Sequence, residues 1–271
     1  MTAAPRIELA HEVLAPLFSE PRPEELVSVV DAMAPADASD LSRASLQRRF
    51  DRKYLLRAES AAALLALVAE DYRVVLAGSA RFALYDTVYF DSPDLRCYHD
   101  HRRRRKPRFK VRVRHYVDRG FSMLEVKQKT QRGDTTKHRF EREGTELAMT
   151  DAEQEQVRSI APGLFHNGPL VPQARTVFSR VMIIGKRSVE RATLDFDLVL
   201  ECGERRRPVP FIVVEVKDTG HGATSPLVLA LRAAHAKQSS FSKYSVAVAS
   251  LGGQRTTTLR PLVTLVHRGL R

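Results

Sequence analysis

The sequence predicts an α+β fold in which an antiparallel β-barrel carries flanking helices. Several stretches alternate apolar and charged residues, as in KPRFKVRVRHY and LEVKQK. A period of two is typical of a strand with one apolar and one ionic face. If helices cover the apolar faces, the ionic faces must line a water-filled lumen, and closure into a barrel or tunnel also removes exposed strand edges.

Strands and short helices alternate in the first part of this fold. A strand is predicted for SLQRRFDRKYLL, because Phe50 lies on one side and Asp51 and Lys53 lie on the other. A helix follows in SAAALLALVAEDY, with Ser60 as its N-cap. Aromatic and β-branched residues indicate the next strand in FALYDTVYFDS. A short helix is then expected in SPDLRCYHDH, with Pro93 at its first position.

Alternating strands dominate the rest of the chain. Three of them, in KPRFKVRVRHY, LEVKQK and TKHRFERE, accompany the basic run 102–106. We expect a helix opened by Asp151 in DAEQEQVRSIAPGL, then a hairpin that turns at Gly185 and Lys186. A strand in RRRPVPFIVVEVK and a helix in SPLVLALRAAHAKQSS follow, and FSKYSVAVASL closes the fold.

Composition divides the chain into three segments. Residues 1–45 are rich in Ala, Pro, Asp and Glu, and prolines interrupt their two helical patterns, near Ile7–Phe18 and Glu24–Met33. We predict a helical or flexible N-terminal arm here, loosely attached and dispensable for catalysis. Residues 46–252 form the main domain, and residues 253–271 form a basic C-terminal tail.

The charge balance indicates an anionic partner. The 271 residues carry a formal net charge of +12, with a pI near 10.0. Nucleic acid, a phosphorylated small molecule, polyphosphate or an anionic membrane surface would each fit this charge. The ionic faces carry almost no aromatic residues, and Trp is absent. Proteins that read nucleic acid interleave aromatics for base stacking, so phosphates without bases fit better.

Other function classes receive no support from motifs. The sequence has no Walker loop, no dinucleotide fingerprint and no G-x-S-x-G nucleophile elbow. Two cysteines, Cys97 and Cys202, make no disulfide framework. We see no secretory signal and no apolar run of about 18 residues, so we expect a cytoplasmic protein without a transmembrane segment.

Glu215 is the most unusual carboxylate of the predicted strands. It lies between Val214 and Val216 in a nearly continuous apolar strand, where a carboxylate is rarely buried without a partner. A structural salt bridge and a divalent metal ligand are both consistent with this position.

Nine motifs in a fixed order carry a family resemblance. They are FDRKYLL, TVYFDSPDLRCYHDH, KVRVRHY, LEVKQK, TKHRF, FSR, ERATLDFD, VVEVK and FSKY. Together they resemble the polyphosphate polymerase domain of the vacuolar transporter chaperone family, within the triphosphate tunnel superfamily. The resemblance implies a basic tunnel that holds ATP phosphates and a divalent metal, Mn²⁺ or Mg²⁺. It also implies an ATP–polyphosphate phosphotransferase, which moves the γ-phosphoryl group onto a growing polyphosphate chain.

The resemblance assigns roles to nine residues that lie on the alternating ionic faces or in the motifs themselves. It implies catalytic roles for Arg112, Arg114, Lys127 and Arg191, phosphate binding for Lys53, Lys137, Arg180 and Lys243, and metal binding for Glu215.

Two departures from the family pattern bear on the activity. The superfamily opens with E-x-E-x-K, whereas this chain has Arg49, Asp51 and Lys53. The loss of one carboxylate disfavours the two-metal triphosphatase or cyclase branch. A second lysine often precedes the S-K-Y element in the polymerase branch, but Ser240 occupies that place and Lys237 lies a helical turn further away.

Two alternatives to the polymerase stay open. One is a metal-dependent triphosphatase on the same fold, and the other is a non-enzymatic module that binds polyphosphate or RNA. The expected partners are ATP and polyphosphate, with no specific nucleic acid. A membrane partner would have to come through other chains.

Overall fold

An antiparallel sheet of eleven strands organises the chain. The computed structural model describes residues 22–44, 50–220, 224–254 and 256–270. The strands are β1 Phe50–Leu56, β2 Tyr72–Val74, β3 Ala83–Asp91, β4 Arg108–Tyr116, β5 Phe121–Lys129, β6 Thr135–Arg142, β7 Val171–Gly185, β8 Arg191–Cys202, β9 Arg205–Pro208, β10 Ile212–Asp218 and β11 Lys237–Ser239. Their order is β11-β1-β10-β8-β7-β3-β4-β5-β6, with β2 beside β7 and β9 beside β8.

Short helices flank this sheet on its outer face and at its ends. They are α1 Glu24–Ala32, α2 Ala38–Arg43, α3 Ala61–Val68, α4 Arg96–Arg102, α5 Asp151–Ile160, α6 Pro226–Ala233, α7 Lys243–Leu251 and α8 Arg260–Arg268. Helices α1, α3 and α6 cover the outer apolar face of β1, β8 and β10, where Tyr54, Leu194 and Val214 are buried. A second apolar cluster joins α7 and α8 to β3, β4, β5 and β7.

The sheet curls so that its ionic faces enclose a lumen. Five strands separate β1 from β5 along the ladder. Nevertheless, Lys53 Nζ on β1 donates a hydrogen bond of 3.2 Å to the carbonyl oxygen of Phe241. Lys110 Nζ on β4, the neighbour of β5, donates one of 2.9 Å to Oγ of the adjacent Ser242, so these distant strands converge on one segment. The predicted α+β fold with an antiparallel sheet and flanking helices is confirmed. Among the described residues, the hydrogen-bonded ladder stays open between β6 and β11.

Two local predictions need correction, and one is confirmed. Helix α4 begins at Arg96 rather than at Pro93, because the Asp91 carboxylate accepts hydrogen bonds from the backbone N–H groups of Cys97 (2.8 Å) and Tyr98 (2.9 Å). Helix α5 begins at Asp151 as predicted, with Thr150 as its N-cap. The stretch RRRPVPFIVVEVK divides into β9 and β10, since its prolines cannot donate to a strand ladder.

The described part of the N-terminal arm packs onto the main domain. Leu26, Val30 and Met33 are buried in the cluster that contains α3. Arg81 Nη1 donates hydrogen bonds to the carbonyl oxygens of Val30 (3.0 Å) and Met33 (2.7 Å). The described part of the arm is therefore packed against the main domain and is not loosely attached. The predicted domain boundary near residue 45 stays a prediction. The predicted helical pattern at Ile7–Phe18 lies outside the described residues.

None of the described helices combines the length and the apolar character that a membrane span requires.

We expect the arm to contribute to folding stability. The change Leu26→Ala removes a side chain that is 4% exposed, so it should lower the free energy of unfolding by about 2–3 kcal/mol. Leu41→Ala is the matched control, because Leu41 on α2 is 45% exposed. Urea unfolding of both variants measures the difference, and equal stabilities would show that the arm is detached in solution.

Candidate functional site

Three carboxylates organise the lumen. Glu125 on β5, Asp195 on β8 and Glu215 on β10 each form ion pairs with lysines or arginines of neighbouring strands or of α7. Strand pairing decides these contacts, because residues opposite each other in an antiparallel ladder project from the same face.

Glu125 binds the cations of β4 and β6. The Glu125 side chain is 1% exposed, and its Oε2 accepts a hydrogen bond of 2.6 Å from Arg112 Nε. Lys137 contacts the other carboxylate oxygen, and Arg139 Nε lies 3.3 Å from it. Burial alone would raise the pKa of Glu125, but the charges of Arg112 and Arg114 hold it well below its ordinary value. Glu125 therefore stays ionised and fixes the orientation of Arg112.

Asp195 performs the same role for β7 and α7. Arg180 donates two hydrogen bonds to the Asp195 carboxylate, at 2.6 and 2.9 Å, and Lys243 donates another. Burial opposes ionisation of Asp195, yet the charges of Arg180 and Lys243 hold its pKa well below the usual range. A bidentate pair of this kind fixes the plane of a guanidinium group.

Glu215 differs from the other two carboxylates. Its oxygens lie 3.9 Å from Lys53 Nζ and 3.3 Å from Lys217 Nζ, and it accepts no hydrogen bond from the described residues. Burial would raise the pKa of Glu215, but the charges of Lys53, Lys217, Arg180 and Lys127 hold it well below its ordinary value. Glu215 is thus an ionised carboxylate whose oxygens have room for another ligand.

A metal site at Glu215 would involve few protein ligands. Within the described residues, no group of three or more His, Cys, Asp and Glu side chains could hold a metal ion. Across β1 and β10, Lys53 is opposite Glu215, and Asp51 is opposite Lys217. Because each pair is two residues from the other, Asp51 lies near Glu215 on the same face of the sheet. Hard divalent cations such as Mg²⁺ are commonly bound by one or two carboxylates together with substrate phosphates. The donors present fit such an ion.

The remaining predicted residues lie on the same inner face. Arg114 Nε donates a hydrogen bond of 3.1 Å to Thr87 Oγ1. Burial and the charge of Arg112 lower the pKa of Arg114. Arg191 pairs with Lys217 across β8 and β10, at the margin of the group. The structure therefore brings all nine predicted residues to one lumen, while their individual roles stay proposals.

Two lysines of the lumen were not assigned a role from the sequence. Lys110 Nζ donates a hydrogen bond of 2.9 Å to Ser242 Oγ, and burial with the charges of Lys53 and Lys127 holds the pKa of Lys110 well below its usual value. Burial lowers the pKa of Lys217 to about 8 in spite of the adjacent Glu215. Both lysines lie at alternating charged positions of their strands, as Arg112 and Glu215 do. Glu125 and Asp195 lie at such positions too, so the same pattern could have indicated all of them.

Aromatic side chains form a floor beneath the cations. Tyr85 and Phe178 are stacked, with ring centroids 5.3 Å apart, and are at most 4% exposed. The guanidinium carbon of Arg180 lies 5.1 Å from the centroid of each ring, and Lys243 Nζ lies 4.2 Å from that of Phe178. The ionic faces on which the sequence shows almost no aromatics belong to other strands, and β3 and β7 contribute these two rings. These rings are covered by cations, however, so no base can stack on them.

The lumen carries a large excess of positive charge. Within the described residues its cations are Lys53, Lys110, Arg112, Arg114, Lys127, Lys137, Arg139, Arg180, Arg191, Lys217 and Lys243, and its carboxylates are Asp51, Glu125, Asp195 and Glu215. Phosphate groups carry about one to two negative charges each, so several of them are needed to balance this excess.

Comparisons with known proteins identify a family. The model of the VTC domain matches residues 48–252. No curated protein matches the chain. Among solved structures, a candidate adenylate cyclase from Bacillus halodurans is 16% identical, with 72% of this chain and 94% of that chain covered and a TM-score of 0.45.

Two further structures show a comparable degree of similarity. A candidate adenylyl cyclase from Hippeastrum with a dominant triphosphatase activity is 16% identical, with 73% of this chain and 94% of that chain covered and a TM-score of 0.43. A protein from Pyrococcus horikoshii OT3 is 13% identical, with 75% of this chain and 98% of that chain covered and a TM-score of 0.44.

We predict that Lys137 reacts unusually fast with amine reagents. Burial and the charge of Arg112 lower the pKa of Lys137 to about 7. At pH 7.5 the uncharged fraction of Lys137 is therefore well above that of a lysine with the ordinary pKa, which is about 0.1%. Acylation followed by peptide mass mapping should show Lys137 reacting at least about tenfold faster than Lys186 in the β7–β8 turn. Equal rates would contradict the geometry of the Arg112, Glu125 and Lys137 cluster.

Proposed function

The chain belongs to the VTC domain family, and on this basis we propose that it is an ATP–polyphosphate phosphotransferase. It would move the γ-phosphoryl group of ATP onto the end of a polyphosphate chain inside the lumen. The observation that supports this most directly is the excess of cations on one curved face. Such a surface suits a chain of phosphates better than a single phosphate group.

Phosphoryl transfer of this kind depends on positioning and electrostatics. The bridging P–O bond between the β- and γ-phosphorus atoms breaks and ADP leaves, while an oxygen of the acceptor phosphate forms the new P–O bond. Negative charge spreads over the transferred oxygens, and fixed cations stabilise it. An ionised acceptor phosphate needs no general base, which is consistent with a site made of arginines, lysines and carboxylates.

The carboxylates keep the arginines in place before substrate arrives. Arg112 is fixed by Glu125 and Arg180 by Asp195, so neither guanidinium has to reorganise during the reaction. We assign Arg112, Arg114, Lys127 and Arg191 to the transferred group, where charge develops. The residues proposed to hold the flanking phosphates are Lys53, Lys137, Arg180 and Lys243.

Phosphate binding also relieves repulsion within the lumen. Burial and neighbouring cations lower the pKa values of Lys110, Lys127 and Lys137. A bound polyanion favours the charged form of each lysine. Binding should therefore take up protons, and lysines that are partly neutral in the free protein become cations in the complex.

Glu215 would hold the divalent metal, Mn²⁺ or Mg²⁺, with Asp51 as a neighbouring carboxylate. When bound, the ion supplies charge neutralisation at the phosphate oxygens. Glu215 is suited to this because it is ionised and accepts no hydrogen bond from the described residues. Lys53 and Lys217 on either side keep the carboxylate oriented toward the lumen.

The proposed partners are ATP and polyphosphate. A specific nucleic acid is not expected, because the aromatic floor is buried beneath Arg180 and Lys243. A cytoplasmic location and a membrane partner contributed by other chains stay predictions.

The products formed from ATP test the proposal. Purified full-length protein is incubated with ATP and Mn²⁺, and the products are resolved on a gel and by ³¹P NMR. We expect a ladder of polyphosphate chains together with ADP. Orthophosphate and ADP without any polyphosphate would instead identify a triphosphatase, and unchanged ATP would identify a polyanion-binding module.

We predict that Glu215→Gln lowers turnover by about 100-fold or more, because the amide keeps the shape but removes the negative charge that a hard cation requires. Glu201→Gln is the control, since Glu201 pairs with Arg175 and Arg206 away from the lumen. Melting temperatures of both variants are compared with wild type. Full Mn²⁺-dependent turnover of Glu215→Gln would contradict the assignment.

A further inference from the structure

A second basic cavity lies outside the lumen. Its volume is about 570 Å³, and its lining includes the cationic or titratable side chains Arg57, His235, Lys237 and Arg268. The remaining lining residues are Thr264, Leu265, Gly269 and Leu270, so among the described residues no carboxylate lines the cavity.

The four basic side chains come from three separate parts of the chain. Arg57 directly follows β1. His235 lies between α6 and β11, and Lys237 is the first residue of β11. Arg268 is the last residue of α8. Gly269 has a φ of 78°, which turns the chain after α8 so that Leu270 closes the cavity wall. Tertiary folding thus assembles the group from positions that the sequence separates by up to about 200 residues.

These four side chains differ from the cations of the lumen in their pairing. Within the described part of the chain, none of them forms an ion pair or a side-chain hydrogen bond, whereas Arg112 and Arg180 are held by carboxylates. Like charges that converge without an acid repel one another. A bound anion would remove this repulsion and would be attracted to the two arginines and the lysine.

Strand register places Lys237 of the cavity on the same face of the sheet as Lys53 of the lumen. Lys237 on β11 pairs with Leu55, and Ser239 pairs with Lys53 of the lumen. Two residues along a strand span about 7 Å. Leu55, opposite Lys237, is fully buried in the apolar cluster that contains Phe241, and none of the lumen cations lines the cavity.

We propose that this cavity is a second binding site for a multiply charged phosphate anion. The cavity has room for several phosphate groups, and its exposed cations are free to form charge-assisted hydrogen bonds with phosphate oxygens. Lys237, which the sequence leaves without a role, then belongs to this site rather than to the lumen. The identity of the anion as a segment of the polyphosphate chain rests on the proposed function, whereas the site itself does not.

Calorimetric titration of the full chain with tripolyphosphate at low ionic strength tests the site. We expect wild type to bind two tripolyphosphate ions per chain, one in the lumen and one in the cavity. The double variant Lys237→Gln/Arg268→Gln should weaken the second binding event at least about tenfold, since each lost charge-assisted contact contributes about that factor. ATP and orthophosphate are titrated in parallel, because stronger binding of either would identify a nucleotide or free phosphate as the occupant.

The control variant removes the same two charges elsewhere. Arg232→Gln/Lys186→Gln changes one arginine on α6 and one lysine in the β7–β8 turn, and neither lines the cavity. We expect this variant to keep both binding events. One binding event in wild type, or equal stoichiometry and affinity in the two double variants, would overturn the proposal. Failure of the polymerase assay would leave this result unaffected, because the readout is binding and not turnover.

Discussion

The burial of positive charge against the inner face of a curved sheet is the constraint on which the rest of the structure depends. Removing a cation from water is costly unless a counter-charge and hydrogen bonds offset the loss. Glu125 and Asp195 supply these inside the lumen, where each holds an arginine and a lysine. Since the carboxylates are outnumbered, the folded protein keeps a fixed excess of positive charge that only a bound anion can balance.

The apolar parts of the fold make this arrangement possible. Helices α1, α3 and α6 cover the outer face of the sheet, so the inner face need not contribute the main core. At the base of the lumen, Tyr85 and Phe178 support Arg180 and Lys243 through contacts between rings and cations. Such contacts stabilise a cation without neutralising it, which leaves the charge available to phosphate oxygens.

The charged groups are of three kinds, which differ in how they are paired with oppositely charged side chains, and each kind suits a different function. Arg112 and Arg180 are held rigidly, as transition-state stabilisation requires. Glu215 is ionised and forms two ion pairs but accepts no hydrogen bond from the described residues, which suits a metal ligand that must accept an ion and release it. The cations around Lys237 and Arg268 have no partner in the described residues, which suits an anion that binds and dissociates without chemistry.

Local patterns in the sequence determined most of the strands and most of the lumen cations, because alternation along a single strand already decides which side chains share a face, whereas Arg180 and Lys243 rested more on the family resemblance. The α+β class, the hairpin at Gly185 and the positions of Arg112 and Glu215 follow from these local patterns. Alternation cannot reveal which strands face each other across a lumen, since that depends on residues far apart in the chain. Only the tertiary structure therefore decided that Glu125 and Asp195 anchor the arginines, that aromatic rings lie beneath the cations, and that Leu26 packs the arm onto the main domain.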